Sequence, residues 1–386
     1  MVFTMEKNVL VMIPGPTPVV NSICAEMARP IQAFGDPRFV KDYKNLIEDL
    51  GKLMNCSGMT FPLAGTGTTA MEMAISNVTK RGDNILICSN GFFGDRFIEI
   101  AERKGLNVDV IKAEWGTTVT PEQIEAKLNE KHYAAMTVSH VDTATAVVAP
   151  IAEIGEVAKR HPEVCYIVDG VAAEAAEYVD VDGYGIDVLF TASQKAFGVC
   201  PGMFVVWASK KALARRKELG MIPEYYVDFE KWIPIMENPA KYFATPAVNL
   251  VWAMAESVRI INEEGGLKTR YLRHRKNADA AAKALESIGF QILAKPGLRA
   301  CTLSVCIYPA GVDDAKFRAA MIDNGVICAG ALAQYAGKAF RLGHMGNISE
   351  EDMIVALSAV ERSLYACGVP VELGKAVGTY VAEMRK

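Results

Sequence analysis

Between residues 60 and 208, short apolar, β-prone runs alternate with stretches long enough for helices, and this alternation limits the fold more than any other feature of the chain. Strands are expected at 60–64, 84–89, 108–113, 134–141, 165–171, 188–193 and 203–208, and helices at 69–81, 95–104, 121–129 and 150–160. A strand followed by a helix before the next strand implies an α/β fold, with a mostly parallel sheet covered on both faces. Ligands of such sheets sit outside the carboxyl ends of the strands. The residues that close each run therefore matter most.

At 386 residues the chain exceeds one small core, and 51% of it is hydrophobic, enough to fill two domains. Residues 1–20 contain Ile13-Pro14-Gly15-Pro16-Thr17-Pro18, where three prolines fix the backbone and forbid a helix, so an extended arm is expected. It is read either as a plain linker or as a rigid segment across a pocket or partner subunit. Helices are also expected at 20–29 and 39–54. A large domain over 21–255 gives way to a smaller α+β domain over 256–386 through a long connecting helix at 245–264. The smaller domain should contain helices at 267–288, 314–324 and 350–365, with strands at 303–307 and 326–328.

The net charge of -4 comes from interspersed charges, with no basic block to follow a phosphate backbone, which argues against nucleic-acid binding. No apolar run approaches a membrane span, and residues 1–12 lack the basic start and small-residue cleavage site of a secretory leader. Nine scattered cysteines without a CxxC pair read as reduced thiols in a cytoplasm, not as a disulfide framework or a metal site.

Several run ends carry chemistry. The run at 188–193 stops at Ser193-Gln194-Lys195, holding a lysine beside Ala196 and Phe197. Loss of solvent there would favour the neutral, nucleophilic amine, although a strand-end lysine can simply reach water. The run at 165–171 places Asp169 where a buried carboxylate needs a cation, either Lys195 or the ring nitrogen of a bound pyridine. Gly65-Thr66-Gly67-Thr68-Thr69 joins the first strand to a helix and can serve as an anion cradle or as ordinary caps. It is not a nucleotide P-loop, because no GxxxxGK[ST] is present. In Asn90-Gly91-Phe92-Phe93-Gly94-Asp95-Arg96 an aromatic could stack on a flat heterocycle or plug the core. Residues 139–145 add hydroxyls and a carboxylate at another run end. Cradle, aromatic, Asp and Lys in this order describe a pocket for pyridoxal phosphate.

These segments, with Pro14-Gly15-Pro16-Thr17, Gly185-Ile186-Asp187, Thr245-Pro246 and Arg341-Leu342-Gly343-His344-Met345-Gly346, make the chain resemble the class V aminotransferases of the fold-type I pyridoxal-phosphate enzymes. Within that family it is similar to the alanine-glyoxylate and serine-pyruvate (serine-glyoxylate) branch. The resemblance implies a seven-stranded, mostly parallel sheet and a homodimer with shared sites. It also implies ping-pong transfer of an amino group from a small donor, alanine or serine, to glyoxylate or pyruvate. Lys195 would bind the cofactor and shuttle the proton, and Asp169 would pair with the pyridinium nitrogen. Phe93 would stack on the ring, with Thr143 near the ring hydroxyl. Thr66, Gly67, Thr68 and Gln194 would hold the phosphate, with Thr245 reaching it from the second subunit. Arg341, with Gly15 beside it, would grip the substrate carboxylate; a guanidinium offers two parallel donors suited to that task.

The chain departs from its relatives at Gly170-Val171-Ala172-Ala173-Glu174, where a hydroxyl is missing, at Phe34-Gly35-Asp36-Pro37, and at Ala146 and Ala331. These positions bear on the choice of donor. The Arg-Leu-Gly-His-Met-Gly segment and the tail 372–386 also resemble a pyridoxamine-pyruvate aminotransferase, whose donor is not an amino acid. Two further readings are a cysteine desulfurase, which needs a mobile cysteine where Cys328 lies but where Gly325-Val326-Ile327-Cys328-Ala329-Gly330 reads as a strand end, and a silent cofactor-binding scaffold.

Overall fold

The computed structural model describes residues 9–386, so the first eight residues of the expected arm lie outside the described part. Seven strands build the main sheet: β1 (Met59–Ala64), β2 (Asn84–Ser89), β3 (Asn107–Lys112), β4 (Ala135–Ser139), β5 (Cys165–Asp169), β6 (Val188–Ala192) and β7 (Met203–Ala208). Their order is β1-β7-β6-β5-β4-β2-β3. Only β7 runs against its neighbours, β1 and β6; every other pair is parallel. The carboxyl ends of β1, β2, β4, β5 and β6 thus open onto the same edge.

The run expected at 134–141 is cut short. Its strand ends at Ser139, and Val141–Asp142 turns away to pair with Val147–Val148 across Ala146, which holds a φ of 57°. Ser139 and His140 interrupt the apolar run where the strand ends, but both are buried and Val141 resumes it.

The helices are α1 (Asn21–Met27), α2 (Pro37–Leu53), α3 (Gly67–Ser76), α4 (Phe92–Lys104), α5 (Pro121–Leu128), α6 (Ile151–Arg160), α7 (Lys210–Glu218), α8 (Phe229–Glu237), α9 (Val248–Glu263), α10 (Gly266–Ser287), α11 (Asp314–Asp323), α12 (Glu350–Ala366) and α13 (Lys375–Met384). Helix α3 stops five residues before the expected end. Asn77 terminates it by donating its side-chain amide to Met73 O and Val227 O, both at 2.7 Å. Helix α8 keeps Pro234 inside it, which hides it from a pattern search.

A smaller antiparallel sheet follows, of β8 (Gln291–Ile292), β9 (Leu303–Ile307), β10 (Ala329–Gly330) and β11 (Ala339–Gly343), ordered β8-β9-β11-β10. It sits between two cores. Leu303 and Val305 join the apolar cluster around the main sheet, whereas Cys306, Phe340 and Leu342 join a second cluster with α10, α11, α12 and α13. The alternation along β9 follows the two-residue period of a strand.

Residues 10–17 run across both parts. Leu10 and Val11 pair in parallel with Val326 and Ile327, Gly343 N donates to Met12 O at 2.8 Å, and Thr17 N donates to Gln194 O at 3.0 Å. Among the described residues no helix is long and apolar enough to cross a membrane.

Candidate active site

Asp169 ends β5 and lies in register with Phe190 of β6, three residues before that strand gives way to Ser193-Gln194-Lys195. Both groups line one cavity of about 190 Å³, together with Thr66, Gly67, Thr68, Met71, Phe93, Arg96, Val141, Thr143, Val171, Ala172 and Gln194. A wider hollow of about 530 Å³ beside α2 lacks this convergence of strand ends.

Asp169 is buried. One oxygen accepts the Val171 N–H at 3.0 Å, and the carboxylate has no other hydrogen-bond partner among the described residues. Burial pushes its pKa up to about 7; the Val171 N–H opposes the shift, nearby Asp142 adds to it, and Lys195 and Arg96 oppose it. Lys195 is pushed down to about 8, first by burial and then by the Arg341 charge, with Asp169 opposing. Both shifts arise because removal from water disfavours the charged form. The result is an amine that gives up its proton near pH 8, well below an ordinary lysine, and a buried carboxylate in want of a cation.

The lysine is held from the arm side. Its ammonium donates to Pro14 O, and Thr17 Oγ1 donates to Lys195 O at 2.9 Å. Gly15 has a φ of +106°, and a methyl group there would meet Lys195 Cδ at 2.6 Å and Cε at 3.0 Å. Gly15 is therefore required for the close pass of the arm over the lysine. Gly15→Ala is expected to lower kcat by about 10²-fold, measured beside Gly378→Ala in α13, where an added methyl meets nothing and kcat should hold.

On the opposite flank, Thr66 caps α3: its Oγ1 accepts from Thr69 N, and Thr69 Oγ1 accepts from Thr66 N, both at 3.3 Å. The backbone of Gly67 comes close to Val171, whose Cγ2 would lie 3.0 Å from an added Cβ. Phe93 is the second residue of α4 and its backbone is held by Asp142. This fully buried carboxylate accepts from Phe93 N at 2.8 Å, Gly94 N at 3.1 Å and Ala144 N at 2.8 Å. Arg341, on β11, reaches over from the smaller sheet. Its Nε donates to Gly330 O at 2.9 Å and Nη1 to Thr143 O at 3.3 Å, and no carboxylate among the described residues pairs with it.

Of the residues expected in the site, Lys195, Asp169, Thr66, Gly67, Thr68, Phe93, Thr143 and Gln194 share the cavity, while Gly15 and Arg341 border Lys195 and Thr143. Thr245 does not line it. It is exposed, with its hydroxyl 3.4 Å from that of Tyr242. Three further residues matter. Arg96 lines the cavity, and Asp142 fixes Phe93. Arg270 of α10, almost wholly buried, donates to Ala196 O at 3.0 Å, Ala175 O at 2.8 Å and Asn347 Oδ1 at 3.1 Å, and pairs with Glu264 at 2.7 Å. It braces the loops that follow Lys195 and Asp169. Its place in the helical series Leu267, Arg270, His274, Asn277 and Ala281, all buried, was the available signal.

The family profile described as aminotransferase class-V matches residues 38–340. The chain belongs to the class V aminotransferases. As a class V aminotransferase it is 36% identical over 369 residues to an uncharacterized aminotransferase of Methanocaldococcus jannaschii, covering 94% of each chain. It is 32% identical to a serine–glyoxylate aminotransferase of Methylorubrum extorquens, over 97% of this chain and 95% of that one. In fold it matches the ureidoglycine-glyoxylate aminotransferase of Bacillus subtilis with a TM-score of 0.93, 26% identity and full coverage of both chains. A pyridoxamine-pyruvate aminotransferase of Mesorhizobium loti, at 23% identity, shares the fold with a TM-score of 0.93 over 98% of each chain.

Class V aminotransferases of this fold type depend on pyridoxal 5′-phosphate, and so does this enzyme. The residues present fit that group. A carbonyl-reactive amine, a buried carboxylate without a cation, an aromatic wall and a capped helix start with free backbone N–H groups converge on one cavity.

Proposed function

We propose that this aminotransferase moves an amino group from alanine or serine to glyoxylate or pyruvate, at a site formed by Lys195, Asp169 and Arg341. The observation that carries the reading is an amine and a carboxylate brought to one cavity from the ends of β6 and β5, with the Arg341 guanidinium of β11, unpaired among the described residues, bordering it at Thr143. The named activities of the Methylorubrum and Bacillus relatives support glyoxylate as acceptor.

When bound, pyridoxal 5′-phosphate supplies a carbonyl and an electron-accepting ring. Lys195 Nζ, neutral above pH about 8, would take the proton from the donor's α-carbon and pass it on to the cofactor, and would run the same transfer in reverse onto the acceptor. Asp169 holds a proton on the ring nitrogen through charge and hydrogen bonding. Arg341 orients the donor and acceptor carboxylates with paired N–H groups. Phe93 walls one face, and residues 66–68 with Gln194 hold the phosphate. The arm at Pro14 and Gly15 covers the lysine and keeps water from it. The donor leaves as its 2-oxo acid, and the acceptor leaves with the amino group.

The same reading places residues 21–255 as the cofactor domain, 256–386 as the smaller domain, and the protein in the cytoplasm as a homodimer. Exposed Ile31, Tyr225 and Tyr242 beside exposed Thr245 support a second subunit covering that face. Against a desulfurase, Cys328 is buried between two short strands, and burial first of all pushes its thiol up to about 12.

A donor screen against glyoxylate and pyruvate, read by 2-oxo acid formation, tests the proposal. Alanine or serine should be used, and Arg341→Gln should cut kcat/KM for them by about 10²-fold. Pyridoxamine has no carboxylate to lose contact with. A wild-type preference for pyridoxamine, unchanged in Arg341→Gln, would replace the amino-acid donor with a pyridoxamine-type one.

A further inference from the structure

Arg96 is a cation without an acid. Its Nη1 donates to Thr68 Oγ1 at 3.2 Å, its guanidinium carbon stands 4.8 Å from the centre of the Phe93 ring, and it lines the same cavity as Lys195 and Asp169. Among the described residues no carboxylate forms an ion pair with it. The acids nearest in sequence are engaged elsewhere: Asp95 accepts from Ser89 Oγ at 2.8 Å and pairs with Lys112 at 3.1 Å, and Glu99 pairs with Arg103 at 2.7 Å. Asp142, which shares the α4 start, is already satisfied by three backbone N–H groups.

An arginine with unused donors beside a helix start and a threonine hydroxyl is suited to a dianion, because a guanidinium binds phosphate through paired, charge-assisted hydrogen bonds. We propose that Arg96 is the cofactor's phosphate-binding cation, acting with Thr68 and the start of α3. This rests on the placement of the phosphate at residues 66–68 given above. Among the described residues no Lys or Arg side chain other than Arg96 and Lys195 lines the cavity, and the proposed reading assigns Lys195 to the carbonyl. Phe93 carries the guanidinium on its ring, which holds the cation in place when no anion is bound.

The test uses ligands that make no covalent bond to lysine. Binding of pyridoxamine 5′-phosphate and of pyridoxamine is measured by titration calorimetry on cofactor-free wild type, Arg96→Gln and Arg96→Lys. In Arg96→Gln the phosphorylated ligand should weaken roughly 10- to 100-fold, with pyridoxamine changed less than about twofold and Arg96→Lys intermediate. Equal weakening of both ligands would make Arg96 a support for Phe93 and overturn the proposal, as would no weakening of either. If wild type itself binds the two ligands equally, the phosphate cradle at residues 66–68 is wrong as well. Arg96 is partly exposed on α4, so thermal unfolding of the cofactor-free variants should match wild type.

Discussion

Lys195→Ala is expected to lower turnover by at least about 10⁴-fold, since in the proposed mechanism one side chain both activates the carbonyl and moves the proton. The absorbance of lysine-bound cofactor should vanish with it. In wild type, the rate at which cofactor-free protein takes up pyridoxal 5′-phosphate covalently should rise with pH and level off above about 8, where the amine has lost its proton. Retention of turnover and of the bound absorbance in Lys195→Ala would remove the assignment. The neutral amine follows from location: Lys195 leaves a central strand under the arm, and Arg341 adds a like charge.

Asp169→Asn should lower kcat by about 10²- to 10³-fold, with the substrate KM changed much less, because in the proposed site the carboxylate would pair with the cofactor and not with the donor. It should also stabilise the cofactor-free protein at high pH. The folded pKa of about 7 lies above the ordinary 3.8, so between these values the folded state binds more protons than the unfolded state. Stability conferred by the protonated carboxyl is therefore present below about pH 4 and lost as pH rises to 7. The melting temperature of Asp169→Asn should exceed that of wild type at pH 8 and meet it near pH 4. A buried group whose removal hurts catalysis and helps stability is kept for its chemistry.

Much of this was legible because the chemistry falls at strand ends. The runs at 84–89 and 203–208 are the strands found, and the polar residues that close β1, β5 and β6 meet in one cavity. Resemblance to the class V family supplied the roles, which periodicity alone does not. Other features depend on contacts far apart in sequence. The course of residues 140–148 depends on hydrogen bonds such as His140 N to Asp169 O and Val148 N to Leu298 O, both at 2.9 Å, and Arg270 becomes meaningful only when α10 reaches the loops at 175 and 196. Arg96 closes Asn90-Gly91-Phe92-Phe93-Gly94-Asp95-Arg96 without a role that the sequence shows, since its lack of an acidic partner among the described residues emerges only in the folded chain.

The crossing of residues 10–17 also sets an order of assembly. This segment leaves the ribosome before its partners: Gln194 and Lys195 follow well over a hundred residues later, and Val326, Ile327 and Gly343 later still. The lysine loop takes its final shape only after residues 10–17 have found partners made much later. The proposed catalytic centre is therefore completed only once residues through about 343 have been synthesised.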